Sequence, residues 1–163
     1  FAQEHIKSIT FWTMGSLSGT NFGHARILAA AVAVCGAIIL RYARELNAFA
    51  IGEDNARHIG VNVRRVKLLI LAAVSILIGV SVSIAGTIGF VGLVMPHMAR
   101  MLTGPNHQRL LPASMFSGAI FLLLADLASR PLLSPVELPI GVVTSLVGAA
   151  AFIAILYRTR KAR

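Results

Sequence analysis

Few residues in this sequence are capable of acid–base or metal chemistry, and they do not gather into a catalytic or metal-binding pattern. The chain of 163 residues has six acidic residues, five histidines and one cysteine. The histidines are His5, His24, His58, His97 and His107. They show none of the short spacings typical of zinc ligands. Cys35 lies inside an apolar run and forms no cysteine framework. We therefore predict no catalytic residue, no metal site and no bound cofactor.

The charged residues form their clearest pattern in residues 45–66, which include the sequence GEDNARHIG. The apolar positions before this stretch have helical spacing: Leu46, Phe49 and Ala50. Gly52 interrupts that spacing. Glu53 and Asp54 then supply the negative charge that favours a helix N-terminus, and Gly60 is suited to the position after a helix C-terminus. The pattern predicts one or two short helices in this loop.

The elements on either side of this loop have the composition of membrane spans. The chain is 56% hydrophobic and 13% charged, whereas a soluble domain has about 25% charged residues. A run from Leu68 to Pro96 has no ionisable side chain, and about 20 apolar residues are enough to cross a bilayer. Five crossings are predicted, at residues 24–40, 67–86, 92–103, 111–129 and 137–157. Pro96 is expected to break or kink the short third crossing.

Basic residues give the orientation of these crossings. Most of them lie in residues 41–67, beside the 104–110 loop and in the tail after Tyr157. Cytoplasmic loops carry an excess of Lys and Arg, so these three regions and the C-terminus are predicted to be cytoplasmic. Phe1 would then lie outside, and we expect further spans to precede it. The net charge of +9 is explained by these loops, so no nucleic-acid partner is predicted.

Several stretches resemble the FecCD-type permeases of ATP-binding cassette importers for ferric siderophores, haem and cobalamin. They are Phe11–Leu17, Gly52–Gly60, Ala85–Arg100, Leu124–Asp126 with Arg130, and Glu137–Thr144. The resemblance covers nearly the whole chain, in order. It implies an all-α, polytopic helical bundle whose crossings are helices six to ten of a ten-helix permease. Residues 1–163 would then be the C-terminal part of one permease domain, and residues 45–66 its cytoplasmic coupling loop.

The resemblance also implies the partners of this chain. Two permeases pair in the cell inner membrane, each docks a cytoplasmic ATPase subunit, and a periplasmic or lipid-anchored binding protein delivers the substrate. The residues implied in ATPase docking are Glu53, Ala56, Arg57 and Gly60, with Leu46 and Ile51 as apolar anchors. Arg130 falls at a position that meets the binding protein; the alternative is a pair with Asp126, four residues earlier.

Taken together, these observations predict a non-enzymatic permease subunit that moves a ferric siderophore or related metal chelate. The sequence has no Gly-x-x-x-x-Gly-Lys-Ser/Thr phosphate-binding loop, so ATP hydrolysis would fall to a separate subunit. The main alternative is a secondary transporter or channel subunit that is not coupled to ATP. A third is a membrane scaffold whose loop 45–66 recruits a soluble partner.

Overall fold

A computed structural model describes residues 9, 12–17, 19–130 and 139–161; seven helices have both ends within these ranges, and the ranges contain no strand. The helices are α1 Phe22–Arg41, α2 Ala43–Phe49, α3 Glu53–His58, α4 Val63–Ala85, α5 Val91–Thr103, α6 His107–Ser129 and α7 Ile140–Lys161. The predicted all-α class is therefore confirmed. The structure also has two short helices in loop 45–66, where the sequence predicts one or two.

Three helices in the described ranges, α1, α4 and α6, are long and apolar enough to cross a membrane. Helix α7 has 22 residues, and α5 has 13. The helix is not broken at Pro96, because α5 continues on both sides of this residue; the alternative of a kink stays a prediction. A proline in a helix removes a single N–H donor, and the neighbouring turns remain helical here. The start of the fifth predicted crossing, residues 137–138, lies outside the described residues.

Asparagine caps explain why two spans begin before their apolar runs. The side chain of Asn62 accepts a hydrogen bond from the Arg65 N–H at 3.1 Å, and α4 begins at Val63. The side chain of Asn106 accepts one from the Gln108 N–H at 3.0 Å, and α6 begins at His107. Such caps satisfy N–H groups that have no partner within the helix. Each span therefore has a polar first turn that hydropathy does not detect.

The spans pack as two groups within the described residues. Helices α1 and α4 pack along each other, and α5 packs on α6, with α7 against both. No helix of the first group packs extensively against a helix of the second. Helix α2 contacts both α1 and α6, and α3 contacts α2 and α4. The short helices of loop 45–66 thus lie between the two groups.

At the other end of α4, three backbone segments meet at Gly15, Gly86 and Gly141. The Ser16 N–H donates to the Ala85 carbonyl at 2.9 Å, and the Gly141 N–H donates to the Gly15 carbonyl at 3.4 Å. A Cβ atom on Gly141 would overlap the Met14 carbonyl oxygen. Glycine is required where backbones approach this closely. We call this contact the glycine junction.

Candidate functional site

Loop 45–66 forms a small packed unit. Its buried core consists of Ala48 from α2, Ala56 from α3 and Val63 from α4, with Phe49 and Val61 packed against it. Ala56 has no exposed surface. Because each of the three elements contributes to one apolar cluster, the loop is held as a unit and not as a tether.

The C-terminus of α3 is closed by Gly60. This residue has φ = +90°, a conformation that residues with a Cβ rarely adopt. Its N–H donates to the Arg57 carbonyl at 3.0 Å, and the Val61 N–H donates to the Ala56 carbonyl at 3.0 Å. This pair of hydrogen bonds, with Val61 packed against the cluster that contains Ala56, is a Schellman motif. The prediction that Gly60 closes this helix is confirmed.

An ion pair fixes the start of α3 to the start of α4. The Lys67 ammonium hydrogen-bonds the Glu53 carboxylate. This hydrogen bond, with the nearby positive charges of Lys67 and Arg57, holds the pKa of Glu53 below its usual value. Arg57 also approaches Asp54, at 3.9 Å. All four side chains are substantially exposed, so the pairs are weak individually, although the Glu53–Lys67 pair joins two different helices.

The predicted ATPase-docking residues divide into an exposed set and a supporting set. Ile51 is 74% exposed, and Glu53, Arg57 and Gly60 are also on the surface. Leu46 is half-buried. Ala56 lies wholly inside the packed unit, so it supports the surface and does not form part of it. The residues that form the surface therefore come from the turn before α3, from α3 itself and from the turn after it.

Sequence reasoning missed Ile59, which is 72% exposed and follows α3 directly. With Ile51 it places a second large apolar side chain on the surface of a polar loop. Two apolar side chains surrounded by charges are typical of a surface that a protein partner covers. In the sequence, Ile59 directly precedes Gly60, the predicted closing residue of α3, and this position could have identified it.

A hydrogen-bonded link between α2 and α6 was also missed. The Asn47 side-chain oxygen accepts from the His107 N–H at 2.8 Å and lies 2.7 Å from His107 Nδ1. The Asn47 side-chain nitrogen donates to the Asn106 side-chain oxygen at 3.0 Å. The two helices are about 60 residues apart in the chain, so no local pattern could have indicated the link.

Arg130 lies at the opposite end of α6 from this link. Its Nη2 and Nε atoms lie 2.8 Å and 2.9 Å from one carboxylate oxygen of Asp126. The pair expected from their spacing is therefore present. The Arg130 side chain remains 66% exposed, which leaves it accessible to a second carboxylate. Glu137, part of the same resemblance, lies outside the described residues.

No group of three or more His, Cys, Asp or Glu side chains suited to a metal ion is found in the part of the chain that the structure describes. Loop 45–66 is a packed unit with an exposed outer surface. Its exposed side chains include the apolar Ile51 and Ile59, the ion-paired Glu53, Asp54 and Arg57, and the basic Arg64 and Arg65.

Comparison with known proteins gives consistent matches along the chain. Residues 1–158 match the sequence model of the FecCD transport family. The chain is 46% identical over 159 residues to the uncharacterized ABC transporter permease protein YvrB of Bacillus subtilis, covering 97% of this chain and 45% of that protein. It is 38% identical over 160 residues to the hemin transport system permease protein HmuU of Yersinia pestis, covering 98% of this chain and 48% of HmuU.

A solved structure matches the fold as well. It is a metal-chelate type ABC transporter in an inward-facing conformation, with a TM-score of 0.90 and 36% sequence identity. The match covers 96% of this chain and 52% of that chain. The chain thus spans about half the length of the curated relatives it matches.

Proposed function

The chain belongs to the FecCD transport family, and we propose that it forms the C-terminal half of a permease subunit in an ATP-driven importer. The predicted resemblance to this family is confirmed, and the chain is a multi-pass membrane protein with at least three helices able to span. Its relatives are transport permeases. The role in an ATP-driven importer, the substrate and the partners described below are proposed.

The observation that carries the proposal is the packed unit of loop 45–66. A docking element must transmit force, so it must be held by more than its two chain ends. The buried cluster around Ala56 and the Glu53–Lys67 ion pair meet this requirement. Ile51 and Ile59 project from the unit and supply apolar area to a partner, and central apolar anchors contribute most to protein–protein affinity.

The proposed partner of this surface is a cytoplasmic ATPase subunit. In this arrangement loop 45–66 and the C-terminus of α7 face the cytoplasm, consistent with the arginines that flank the loop. ATP-driven closure of the ATPase would displace α2 and α3, and the attached spans would alternate between outward and inward access. The chain itself would supply no catalytic group to ATP hydrolysis.

The proposed cargo is a ferric siderophore or a related metal chelate such as haem or cobalamin. The name of the relative HmuU, a hemin permease, and the metal-chelate type of the matching structure support this class. A periplasmic or lipid-anchored binding protein would deliver the chelate, with Arg130 accessible at the face opposite loop 45–66. A second permease subunit would complete the pathway across the membrane.

The test replaces Ile51 by Asp in the complete subunit, co-expressed with its ATPase. A charge in place of an apolar anchor should reduce recovery of the ATPase with the membrane subunit by about tenfold or more. The variants Glu53→Lys and Gly60→Trp are expected to weaken recovery as well. Membrane insertion should be unchanged in all three, because none of these side chains lies in a span.

Gln108→Ala is the matched control, since Gln108 is exposed on the same face of the membrane but outside loop 45–66. It should recover the ATPase as the unmodified subunit does. Undiminished recovery with Ile51→Asp would contradict the docking role of the loop. Chelate uptake by the unmodified subunit in vesicles without ATP would contradict the importer itself and support a secondary transporter.

A further inference from the structure

The link between Asn47 and the first turn of α6 joins the docking unit to a helix with which it has no direct chain connection. We propose that Asn47 is a positioning residue that transmits displacement of loop 45–66 to α6 and, through α6, to the opposite face of the membrane. This inference rests on the proposed function, because it assigns the route by which that function acts. Asn47 touches neither the substrate nor ATP in this role.

The geometry of the link is that of a helix cap supplied by another helix. The first N–H groups of an α-helix lack partners within the helix. In α6 the His107 N–H donates to the Asn47 side chain, and the Gln108 N–H donates to the Asn106 side chain. Asn47 also hydrogen-bonds the Asn106 side chain itself. One residue of α2 therefore contacts both the cap residue and the first residue of α6.

The packing of the spans determines which helices this link can move. Loop 45–66 continues directly into α4 and follows α1, so movement of the loop reaches those two helices through the chain. Among the described helices, α5, α6 and α7 form a separate group. The contact of α2 with α6 is the extensive contact that joins loop 45–66 to that group. This contact acts on the second group at the loop end, whereas the chain after Ala85 and the glycine junction join α4 to that group only at the opposite end.

Helix α6 can carry the movement across the membrane. Its 23 residues span about 35 Å at 1.5 Å per residue, and it ends beside Arg130. It packs against α5 and also contacts α7, so displacement at His107 moves a packed group and not an isolated helix. Sites on opposite faces would then be coupled through one continuous element.

The experiment uses the full-length subunit with its ATPase and binding protein in proteoliposomes. Two rates of ATP hydrolysis are measured, without and with the loaded binding protein, together with chelate uptake. Asn47→Ala should leave ATPase recovery and the basal rate unchanged, because Asn47 is not on the docking surface. Stimulation by the binding protein should fall about fivefold or more, within the usual range of allosteric coupling, and uptake should fall with it.

Two further variants are matched controls. Asn47→Asp keeps acceptor oxygens for the His107 N–H and Nδ1–H and should retain most of the stimulation. Gln108→Ala removes an exposed amide from the first turn of α6, the turn that Asn47 contacts, and should stay within about twofold of the unmodified subunit. If Asn47→Ala assembles poorly, His107→Phe removes the ring donor and should show the same selective loss.

The outcomes separate this inference from the proposed function. Normal stimulation in Asn47→Ala, with an unmodified subunit that is stimulated normally, overturns the role of Asn47 and leaves the importer intact. Equal losses in Asn47→Ala and Gln108→Ala also overturn it, since the effect would then be general to this part of the subunit. An unmodified subunit that neither recovers an ATPase nor needs ATP overturns the proposed function and this inference together.

Discussion

The two ends of α4 are held by different kinds of contact. At loop 45–66 the contacts are made by side chains: the apolar cluster around Ala56, the Glu53–Lys67 ion pair and the Asn47 link to α6. At the glycine junction they are made by the backbone, with carbonyl oxygens against glycine Cα atoms. Side-chain contacts tolerate small displacements because rotamers adjust, whereas backbone contacts at this distance do not.

The difference indicates which end is suited to movement. A loop that binds a moving partner must shift without losing its own packing, and side-chain contacts permit this. The glycine junction joins three segments that are distant in sequence, and it is suited to remain fixed while other parts move. Interfaces between such rigid parts are where hinge motions occur in proteins. Substitutions in loop 45–66 should therefore affect coupling, whereas substitutions at the glycine junction should affect stability.

The largest expected effect is at the glycine junction. Gly141→Ala places a methyl group where the Met14 carbonyl oxygen lies, so the segments must separate. We expect the complete subunit in detergent to lose about 1–3 kcal/mol of stability or more, seen as a lower thermal midpoint. Gly118→Ala in α6 is the control, because a Cβ there meets nothing within 4 Å. Equal midpoints for the two variants would contradict the view that this junction is rigid.

A smaller effect is expected from a charge change at Arg130, which follows the C-terminus of α6. Arg130 pairs with Asp126 on the same helix, so the pair joins no separate elements and little stability depends on it. Arg130→Glu should leave the thermal midpoint unchanged but slow capture of the loaded binding protein about threefold or more at low salt, with a smaller effect at high salt.

The control for this prediction is Arg109→Glu, which makes the same charge change at the other end of α6, where Arg109 is exposed. Capture rates measured by stopped-flow fluorescence should be unaffected by it. A slowing of equal size in both variants would show that net charge, and not the position of Arg130, controls capture.

The sequence predicted the elements that follow from local physics. In a long run without charges, such as the one from Leu68 to Pro96, the backbone N–H and C=O groups find hydrogen-bond partners in lipid by forming a helix. The predicted bounds of α4 were therefore correct to within a few residues. Gly60 was identified as the closing residue of α3 because few residues adopt its conformation. The sequence pattern placed Glu53 and Gly60 at the two ends of one short helix, whereas the docking role of these residues rests on the family resemblance and stays a prediction.

The contacts that the sequence did not predict join distant segments. The link from Asn47 to His107 and the approach of Gly141 to Met14 depend on how the spans pack, and neither leaves a periodic signal. Burial of Ala56 was missed for a related reason. Alanine is compatible with an exposed or a buried position on a helix, so only the three-dimensional packing of α2, α3 and α4 determines which is present.

The smallest expected effect concerns the ion pair at loop 45–66. The pKa of Glu53 is lowered in the folded state, chiefly by its hydrogen bond to Lys67. A lowered carboxyl pKa stabilises the folded loop at pH values above the unfolded pKa, near 4.5, and this contribution is lost as the pH falls through the folded value. Amide protection of Ala56 and Val61, corrected for the intrinsic exchange rate, should therefore decrease modestly below about pH 4.5.

Glu53→Gln removes the titrating group and should make this protection independent of pH over the same window, at the lower level. Asp54→Asn is the control, because Asp54 only approaches Arg57 at 3.9 Å and both residues lie on α3; it should keep the pH dependence. This result tests whether side-chain contacts hold loop 45–66. At the glycine junction, where the contacts are made by the backbone, amide protection should not change over the same pH range. A pH dependence that persists in Glu53→Gln would show that another group titrates, and that the Glu53–Lys67 ion pair does not account for the stability of the loop.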